Sequence, residues 1–111
     1  RQIMLIRIKQ YIKSAMSDPE LTATKIADAT GLSKRYLNNL FNEENTSLMR
    51  FLTEERLELC RHCLANVFYS RLSITQIAMR YGFNNMSHFS RVFKKYYGCS
   101  PRAYRQLFTN S

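Results

Sequence analysis

The spacing of apolar residues along this chain is helical almost throughout. Between residues 3 and 16, apolar side chains recur at Leu5, Ile8, Ile12 and Ala15, which places them on one face of a helix. The same kind of spacing predicts further helices over residues 22–31, 33–44, 47–66, 73–82, 84–97 and 100–108. No segment favours a strand over these helices. The pattern therefore predicts an all-α fold of about seven helices.

Residues with capping preferences mark the ends of these segments. Thr22, Ser33 and Ser73 stand where helices are predicted to begin, and Ser73 has Gln76 three positions later, the spacing of a capping box. Gly31 is predicted to end a helix, because a left-handed backbone costs glycine least. Gly82 and Gly98 are likewise predicted to end helices. The residues predicted to begin helices in this part of the chain are Asn84, Asn85, Ser100 and Pro101.

One apolar pattern occurs twice in the chain. Its residues, in order, are Ile26, Ala27, Gly31, Leu37, Leu40 and Phe41 in the first copy, and Ile77, Ala78, Gly82, Phe89, Val92 and Phe93 in the second. The two copies are 51 residues apart up to the glycine and 52 apart after it, so the second copy has one extra residue in its turn. Each copy predicts a short helix, a tight turn and a second helix, which is a helix-turn-helix.

The second helix of each copy carries polar residues opposite its apolar face. Asparagine is a mediocre helix former, and a face that is merely solvated more often carries Glu and Lys. In the major groove of DNA, arginine pairs well with guanine and asparagine with adenine. We therefore predict base-reading roles for residues of both polar faces: Arg35, Asn38, Asn39, Asn42, Ser87, Ser90 and Arg91. The alternative is a polar face that meets only solvent.

A second group of residues is predicted to contact phosphate. Helix N-termini offer backbone N–H groups to phosphate oxygens, and lysine and arginine add affinity that does not depend on sequence. The candidates are Thr22, Thr24, Lys34, Ser73, Thr75, His88, Lys94, Lys95 and Arg102. For the hydroxyl residues, a role as a helix cap alone is the alternative.

The net charge of +9 is unevenly distributed along the 111 residues. Residues 71–111 carry seven basic side chains and no acidic one. Since a solvated surface usually mixes both signs, this stretch favours a polyanionic partner. Together with the repeat, it predicts a protein that reads two neighbouring stretches of double-stranded DNA.

The helix predicted over residues 47–66 connects the two copies. Twenty residues at a rise of about 1.5 Å give a length of about 30 Å. Successive major-groove faces of B-DNA recur about every 34 Å, so a rigid helix of this length suits two adjacent groove segments. We predict three parts: a first helix-turn-helix subdomain over residues 1–46, a linker helix over 47–66 and a second helix-turn-helix subdomain over 67–111.

Several other classes of protein are disfavoured. Cys60, His62 and Cys63 have a metal-like spacing, but they lie in a helical pattern and no second ligand pair follows, so we interpret both thiols as buried. No acid, base and nucleophile converge, which argues against an enzyme, and we expect neither metal nor cofactor.

No apolar run reaches the roughly 20 residues of a membrane span, and no signal peptide is evident. The first residue is Arg1, from which we expect a piece of a longer protein.

These residues resemble the DNA-binding domain of AraC/XylS-type bacterial transcription regulators over nearly the whole chain. The resemblance is most specific in the second copy and beyond it, at Ile77, Ala78, Gly82, Phe83, Phe89, Ser90, Arg91, Val92, Phe93, Lys94, Gly98, Ser100, Pro101, Tyr104 and Arg105. The first copy and the linker agree at Ile26, Ala27, Gly31, Ser33, Tyr36, Leu37, Leu40, Phe41, Arg56 and Leu57.

The resemblance implies seven helices and two recognition helices, over residues 33–44 and 86–97, in adjacent major-groove segments. It also implies a cytoplasmic bacterial transcription regulator, often an activator that contacts RNA polymerase, and a separate effector and dimerisation domain in the full-length protein. Two alternatives remain. A protein-docking helical module would expose an apolar patch and bind in a way that survives salt. A metal or thiol sensor would expose Cys60, His62 and Cys63 together.

Overall fold

A computed structural model describes residues 2–109 of the chain, and within them the side chains of residues 3–108. The described residues form seven α-helices and one short 3₁₀-helix, η1, with no strand among them. The helices are α1 (Gln2–Ala15), α2 (Ala23–Thr30), α3 (Lys34–Asn42), α4 (Leu48–Ala65), η1 (Val67–Tyr69), α5 (Ile74–Arg80), α6 (Met86–Tyr97) and α7 (Pro101–Thr109). The predicted all-α fold is therefore confirmed. None of these helices is both long and apolar enough to cross a membrane.

The chain divides into two compact units, Arg1–Glu55 and Arg56–Ser111. The boundary falls inside α4, so residues 48–55 of that helix belong to unit 1 and residues 56–65 to unit 2. The three-part division at residues 46/47 and 66/67 stays a prediction, because compactness alone does not say where a linker begins.

Unit 1 buries most of the apolar residues that the periodicity selected; Ala15 is the exception, since it is only half-buried and the neighbouring Met16 is buried instead. Ile8 and Ile12 of α1 are almost completely buried, as are Leu37, Leu40 and Phe41 of α3. The α2 and α3 helices are in contact. Because three residues of α3 are fixed in this core, the opposite face of the helix is held at the surface.

Unit 2 is built around one aromatic-rich core. Phe89 and Phe93 of α6 are completely buried, with Cys60 and Leu64 of α4 and Ile77 of α5 in the same cluster. The Phe83 and Phe89 rings are 4.9 Å apart, and those of Phe89 and Phe93 are 5.7 Å apart, a range in which aromatic pairs stabilise a core. The α6 helix contacts both α5 and α7, which makes it the central element of the unit.

Most caps lie where the sequence predicts them, but α5 ends at Arg80 with Tyr81 as its C-cap, one residue before the predicted stop at Gly82. The Thr22 hydroxyl accepts a hydrogen bond from the Lys25 N–H, and Gly31 ends α2 with a φ of 73°. In unit 2, the Ser73 hydroxyl accepts from the Gln76 N–H while the Gln76 side chain accepts from the Ser73 N–H, which is the predicted capping box. Gly98 ends α6 with a φ of 80°.

The short helix η1 was not predicted. It follows α4 directly, and the Asn66 side chain caps it by accepting from the Phe68 N–H at 2.9 Å. A single 3₁₀ turn is too short to show a hydrophobic period, so its sequence carries no such signal.

Candidate nucleic-acid interface

Unit 1 presents α3 as the second helix of a helix-turn-helix. The Gly31 and Leu32 N–H groups both bond to the Ala27 carbonyl oxygen, and the Ser33 hydroxyl caps α3 by accepting from the Tyr36 N–H. Only residues 31–33 separate α2 from α3. With the caps fixed on both sides of so short a connection, the direction in which α3 leaves the turn is set by local hydrogen bonds.

All four polar residues predicted on α3 are exposed to solvent. They are Arg35, Asn38, Asn39 and Asn42, on the face opposite Leu37, Leu40 and Phe41. Residues three and four positions apart share a helix face, so these side chains form one continuous surface. That surface carries both hydrogen-bond donors and acceptors, which the edges of base pairs require.

Unit 2 repeats the arrangement with a longer turn. The Phe83 N–H bonds to the Ala78 carbonyl oxygen at 2.9 Å, as the Leu32 N–H does to Ala27 in unit 1. The α6 cap is Asn85, whose side chain accepts from the His88 N–H, in the place that Ser33 holds in unit 1. Phe83 follows Leu32 by 51 residues, whereas Asn85 follows Ser33 by 52 residues. The extra residue that the sequence predicts in the second turn is therefore Asn84.

The exposed face of α6 differs in chemistry from that of α3. Ser87, Ser90 and Arg91 are exposed, as the helical pattern predicts, and Lys94 and Lys95 follow in the last turn. Lysines at this position also complement the helix dipole, so their placement has a structural reason besides DNA. The two serines place short hydroxyl groups on this face. The positive charges, of Arg91, Lys94 and Lys95, lie between the middle of α6 and its last turn.

The predicted phosphate contacts at the helix starts lie at the surface, and some are engaged within the protein. Thr22 and Ser73 each accept a backbone N–H as caps, which leaves the hydroxyl hydrogen available to a further acceptor. Lys34 Nζ donates to Thr24 Oγ1 at 3.3 Å, so these two predicted contacts form one polar pair. Thr75 is exposed at the start of α5.

The two remaining predicted phosphate contacts are in the first turns of α6 and α7. His88 is exposed, and its ring lies 6.4 Å from that of Phe83, so the imidazole is held beside the turn before α6. Arg102 is exposed in the first turn of α7. By contrast, Arg105 Nη2 donates to the Tyr69 carbonyl oxygen at 2.8 Å, which gives that cation a structural role.

Nearly all of the net charge lies in unit 2. Residues 56–111 carry nine lysines and arginines and one acidic residue, Glu58, which gives +8, whereas residues 1–55 carry eight basic and seven acidic residues, which gives +1. Glu58 is paired with Arg61. A polyanion approaching α6 therefore meets a surface of one sign.

The geometry of the cysteines does not support the sensor alternative. Cys60 and Cys63 are buried as predicted, whereas His62 is exposed. Burial, with a smaller contribution from the neighbouring Cys63, raises the pKa of the Cys60 thiol to about 12, so it is uncharged at neutral pH. Among residues 2–109, no group of His, Cys, Asp and Glu side chains is arranged to hold a metal ion.

An exposed apolar patch on unit 2 was missed from the sequence. Val67 and Phe68 of η1 are 72% and 89% exposed, and Val67 and Phe108 line a shallow groove together with His62, Ala65 and Asn66. The adjacent pair of large apolar residues just after a helix is the signal that could have indicated it.

Two helix-turn-helix units, each with a buried apolar face and an exposed polar face on the second helix, define a helix-turn-helix DNA-binding protein. The helix-turn-helix domain family matches residues 26–107 of the chain. The chain belongs to this family and, within it, to the AraC/XylS-type DNA-binding domains, as the sequence predicts.

Individual relatives agree with this assignment. The chain is 36% identical over 102 residues to the transcriptional activator NphR of Rhodococcus sp, a match that covers 92% of this chain and 30% of NphR. The C-terminal domain of AraT, a response regulator from Geobacillus stearothermophilus, has a TM-score of 0.85 and 32% identity, covering 94% of this chain and 84% of that one. An AraC-type transcriptional regulator from Chromobacterium violaceum has a TM-score of 0.85 and 27% identity, covering 97% and 94%.

Proposed function

We propose that this chain recognises a specific double-stranded DNA sequence through α3 and α6, which enter adjacent major-groove segments, and that it thereby regulates transcription. One observation carries the proposal: both helices bury one face in a core and expose another whose side chains match the hydrogen-bonding groups of base edges. The unlike faces of α3 and α6 imply two unlike half-sites, so a single chain reads an asymmetric sequence.

The base-reading and phosphate roles of individual residues belong to this proposal. Arg35, Asn38, Asn39 and Asn42 read one half-site, and Ser87, Ser90 and Arg91 read the other. The phosphate contacts come from Lys94, Lys95 and Arg102 and from residues at the helix starts. The charge of unit 2 supports a larger electrostatic contribution from that unit, because the number of phosphates neutralised determines how affinity depends on salt.

We further propose that the regulator containing this domain activates transcription in the bacterial cytoplasm. NphR is a transcriptional activator by name, and this chain spans 30% of its length. A separate effector-binding and dimerisation domain in the full-length regulator is part of the same proposal.

A competition titration tests the DNA-binding function. A labelled duplex selected from a random pool is displaced by the same duplex or by one of scrambled sequence at near-physiological salt. We expect the selected duplex to bind at least about 10³-fold more tightly, the lower end of the range for specific recognition. Equal displacement by both duplexes would contradict sequence-specific binding.

The exposed patch at Val67, Phe68 and Phe108 favours a second function, docking on a protein partner such as RNA polymerase. Val67 and Phe108 line one groove in unit 2 and Phe68 is exposed next to Val67, and exposed apolar side chains that lie together on a small domain often mark a protein contact. This function is compatible with DNA binding, because the patch uses none of the residues assigned to base reading.

Replacing Val67 and Phe68 by serine tests the docking function. We expect binding to purified bacterial RNA polymerase to be lost while DNA affinity is unchanged. Ile3→Ser is the matched control, because Ile3 is 70% exposed in unit 1. Undiminished polymerase binding by the Val67→Ser, Phe68→Ser protein would rule this patch out as the docking site.

A further inference from the structure

Four polar side chains join α4 to the end of α6 and to α7, away from the face of α6 that is proposed to read DNA. Tyr97, the last residue of α6, donates its hydroxyl hydrogen to Glu58 Oε2 of α4 at 3.1 Å. Arg61, one turn further along α4, donates from Nε to the same carboxylate oxygen at 3.1 Å and is ion-paired through Nη2 with Glu58 Oε1. Arg61 Nη1 donates to the Tyr104 hydroxyl of α7 at 3.0 Å.

Ring contacts reinforce the same junction. The Arg61 guanidinium lies 5.8 Å from the centre of the Tyr97 ring, a cation–π distance. The Phe93 ring meets the Tyr97 ring edge-on at 4.7 Å and the Tyr104 ring at 5.7 Å. Since Phe93 is completely buried, the end of α6 is fixed both by this polar junction and by the core of unit 2.

The composition of unit 2 makes Glu58 the exception within it. It is the one acidic residue among residues 56–111, in a unit proposed to bind a polyanion. A carboxylate there weakens the attraction to DNA, so its presence suggests a role other than binding DNA. Its hydrogen bond from Tyr97 indicates that role, because this bond joins α4 to the end of the recognition helix, while Arg61 holds the Glu58 carboxylate from within α4.

We propose that Glu58, Arg61, Tyr97 and Tyr104 form a clamp that fixes the orientation of α6, so that its exposed residues meet base edges in the correct geometry. The inference rests on the proposed function of α6 in reading DNA. The four residues are positioning residues that act through the helix. Hydrogen bonds weaken steeply with misalignment, so a small rotation of α6 reduces base reading more than phosphate attraction.

Two conservative substitutions test the clamp. Tyr97→Phe removes only the hydroxyl, and Glu58→Gln removes the charge at nearly the same shape. We expect each to weaken binding to the selected duplex by about 2- to 30-fold, the range for side chains that act through a packed network, without weakening binding to a scrambled duplex. An electrostatic role alone predicts the opposite sign for Glu58→Gln, because removing a negative charge tightens binding to all DNA.

Two further variants separate positioning from other effects. Glu20→Gln removes one carboxylate from an exposed residue of unit 1 and controls for charge. Ile77→Val deletes one buried methylene from the same core and controls for stability; it should lower the melting temperature without changing the ratio of the two affinities. If Ile77→Val changes that ratio as much as Tyr97→Phe does, the clamp has no special role.

Hydrogen exchange of the α6 backbone tests the clamp independently of DNA. In Tyr97→Phe we expect faster exchange of the amides in the last turn of α6, at Lys94 to Tyr97, than in wild type, because that turn has lost its bond to α4. Unchanged exchange together with unchanged specific affinity would overturn the clamp. If the wild-type protein does not distinguish the two duplexes, the proposed function fails, and the exchange result alone decides whether the clamp holds α6.

Discussion

Arg91 lies exposed on α6, in the middle of the face proposed to read bases. We predict that Arg91→Ala costs about 1–3 kcal/mol of binding free energy on the selected duplex and relaxes the preference at one base position. Arg102→Ala is the matched control, since it removes the same charge from a proposed phosphate contact. Fluorescence anisotropy on selected and scrambled duplexes measures both. An equal loss on the two duplexes for Arg91→Ala would assign that side chain to phosphate instead.

Lys94 and Lys95 are predicted to contribute charge rather than sequence information. Each lysine-to-alanine substitution should lower affinity on all sequences and reduce the slope of log affinity against log salt by about 0.9 for each lost phosphate contact. Lys13→Ala serves as the control, because Lys13 Nζ pairs with Glu55 in unit 1 at 3.8 Å. A slope that stays at the wild-type value would remove the two lysines from the phosphate contacts.

For individual residues, exposure to solvent was easier to predict from the sequence than the hydrogen-bond partners of each side chain. Periodicity decides which face of α3 or α6 is buried, so the exposure of Asn38 and Arg91 followed from Phe41 and Phe93. The pairing of Lys34 with Thr24 and of Arg105 with the Tyr69 carbonyl joins residues 10 and 36 positions apart. Such pairings depend on how helices pack and leave no local pattern.

Among whole elements, the ends of the helices were the most predictable feature. Glycine, serine, threonine and asparagine act on the backbone within three residues, so Thr22, Ser73 and Gly98 could be assigned from the sequence alone. The predicted helix over residues 33–44 was two residues too long at its end, where α3 gives way to a turn that includes Asn45 at a φ of 61°. The short η1 had no such signal.

Gly31 allows a quantitative test of one of these ends. Its φ is 73°, and a Cβ atom there would meet nothing within 4 Å, so the cost of a side chain is backbone strain alone. We predict that Gly31→Ala lowers the free energy of unfolding by about 1–2 kcal/mol. Gly31→Asn should cost less, because asparagine tolerates the left-handed region. Urea unfolding measures both, and an alanine variant as stable as the asparagine variant would contradict the strain account.

The junction at Glu58 predicts how stability depends on pH. The hydrogen bond from Arg61 is the main reason that the pKa of Glu58 lies below its usual 4.5, with a smaller contribution from Tyr97. A lowered carboxyl pKa stabilises the folded state above the unfolded pKa, and this stabilisation is lost as the pH falls through the folded pKa. Because about half of the Glu58 side chain is exposed, the effect is small.

The measurement is the difference in unfolding free energy between wild type and Glu58→Gln. We predict that wild type is the more stable near pH 7 and that the difference narrows below about pH 4.5. Glu20→Gln, at an exposed position in unit 1, is the control. A difference that stays constant across the acid range would show that the Glu58 charge does not contribute to stability.

In the molecule as a whole, both units contain a helix-turn-helix, but the exposed residues and the net charge of the two units differ. Unit 1 is nearly neutral and presents arginine and asparagine on α3, whereas unit 2 carries +8 and presents serine, arginine and lysine around α6. The repeat and the charge imbalance are both visible in the sequence, so the bipartite architecture was predictable. The clamp at Glu58 and the patch at Val67 were not, because each arises where separate helices meet.

Selection from a randomised duplex library at near-physiological salt, with wild type, Asn38→Ala and Arg91→Ala run in parallel, shows directly whether α3 and α6 read separate segments of DNA. We predict that wild type enriches two unlike half-sites, that Asn38→Ala relaxes positions in one of them and that Arg91→Ala relaxes positions in the other. A single enriched half-site, or two variants that relax the same positions, would contradict the claim that α3 and α6 each read a separate segment of DNA.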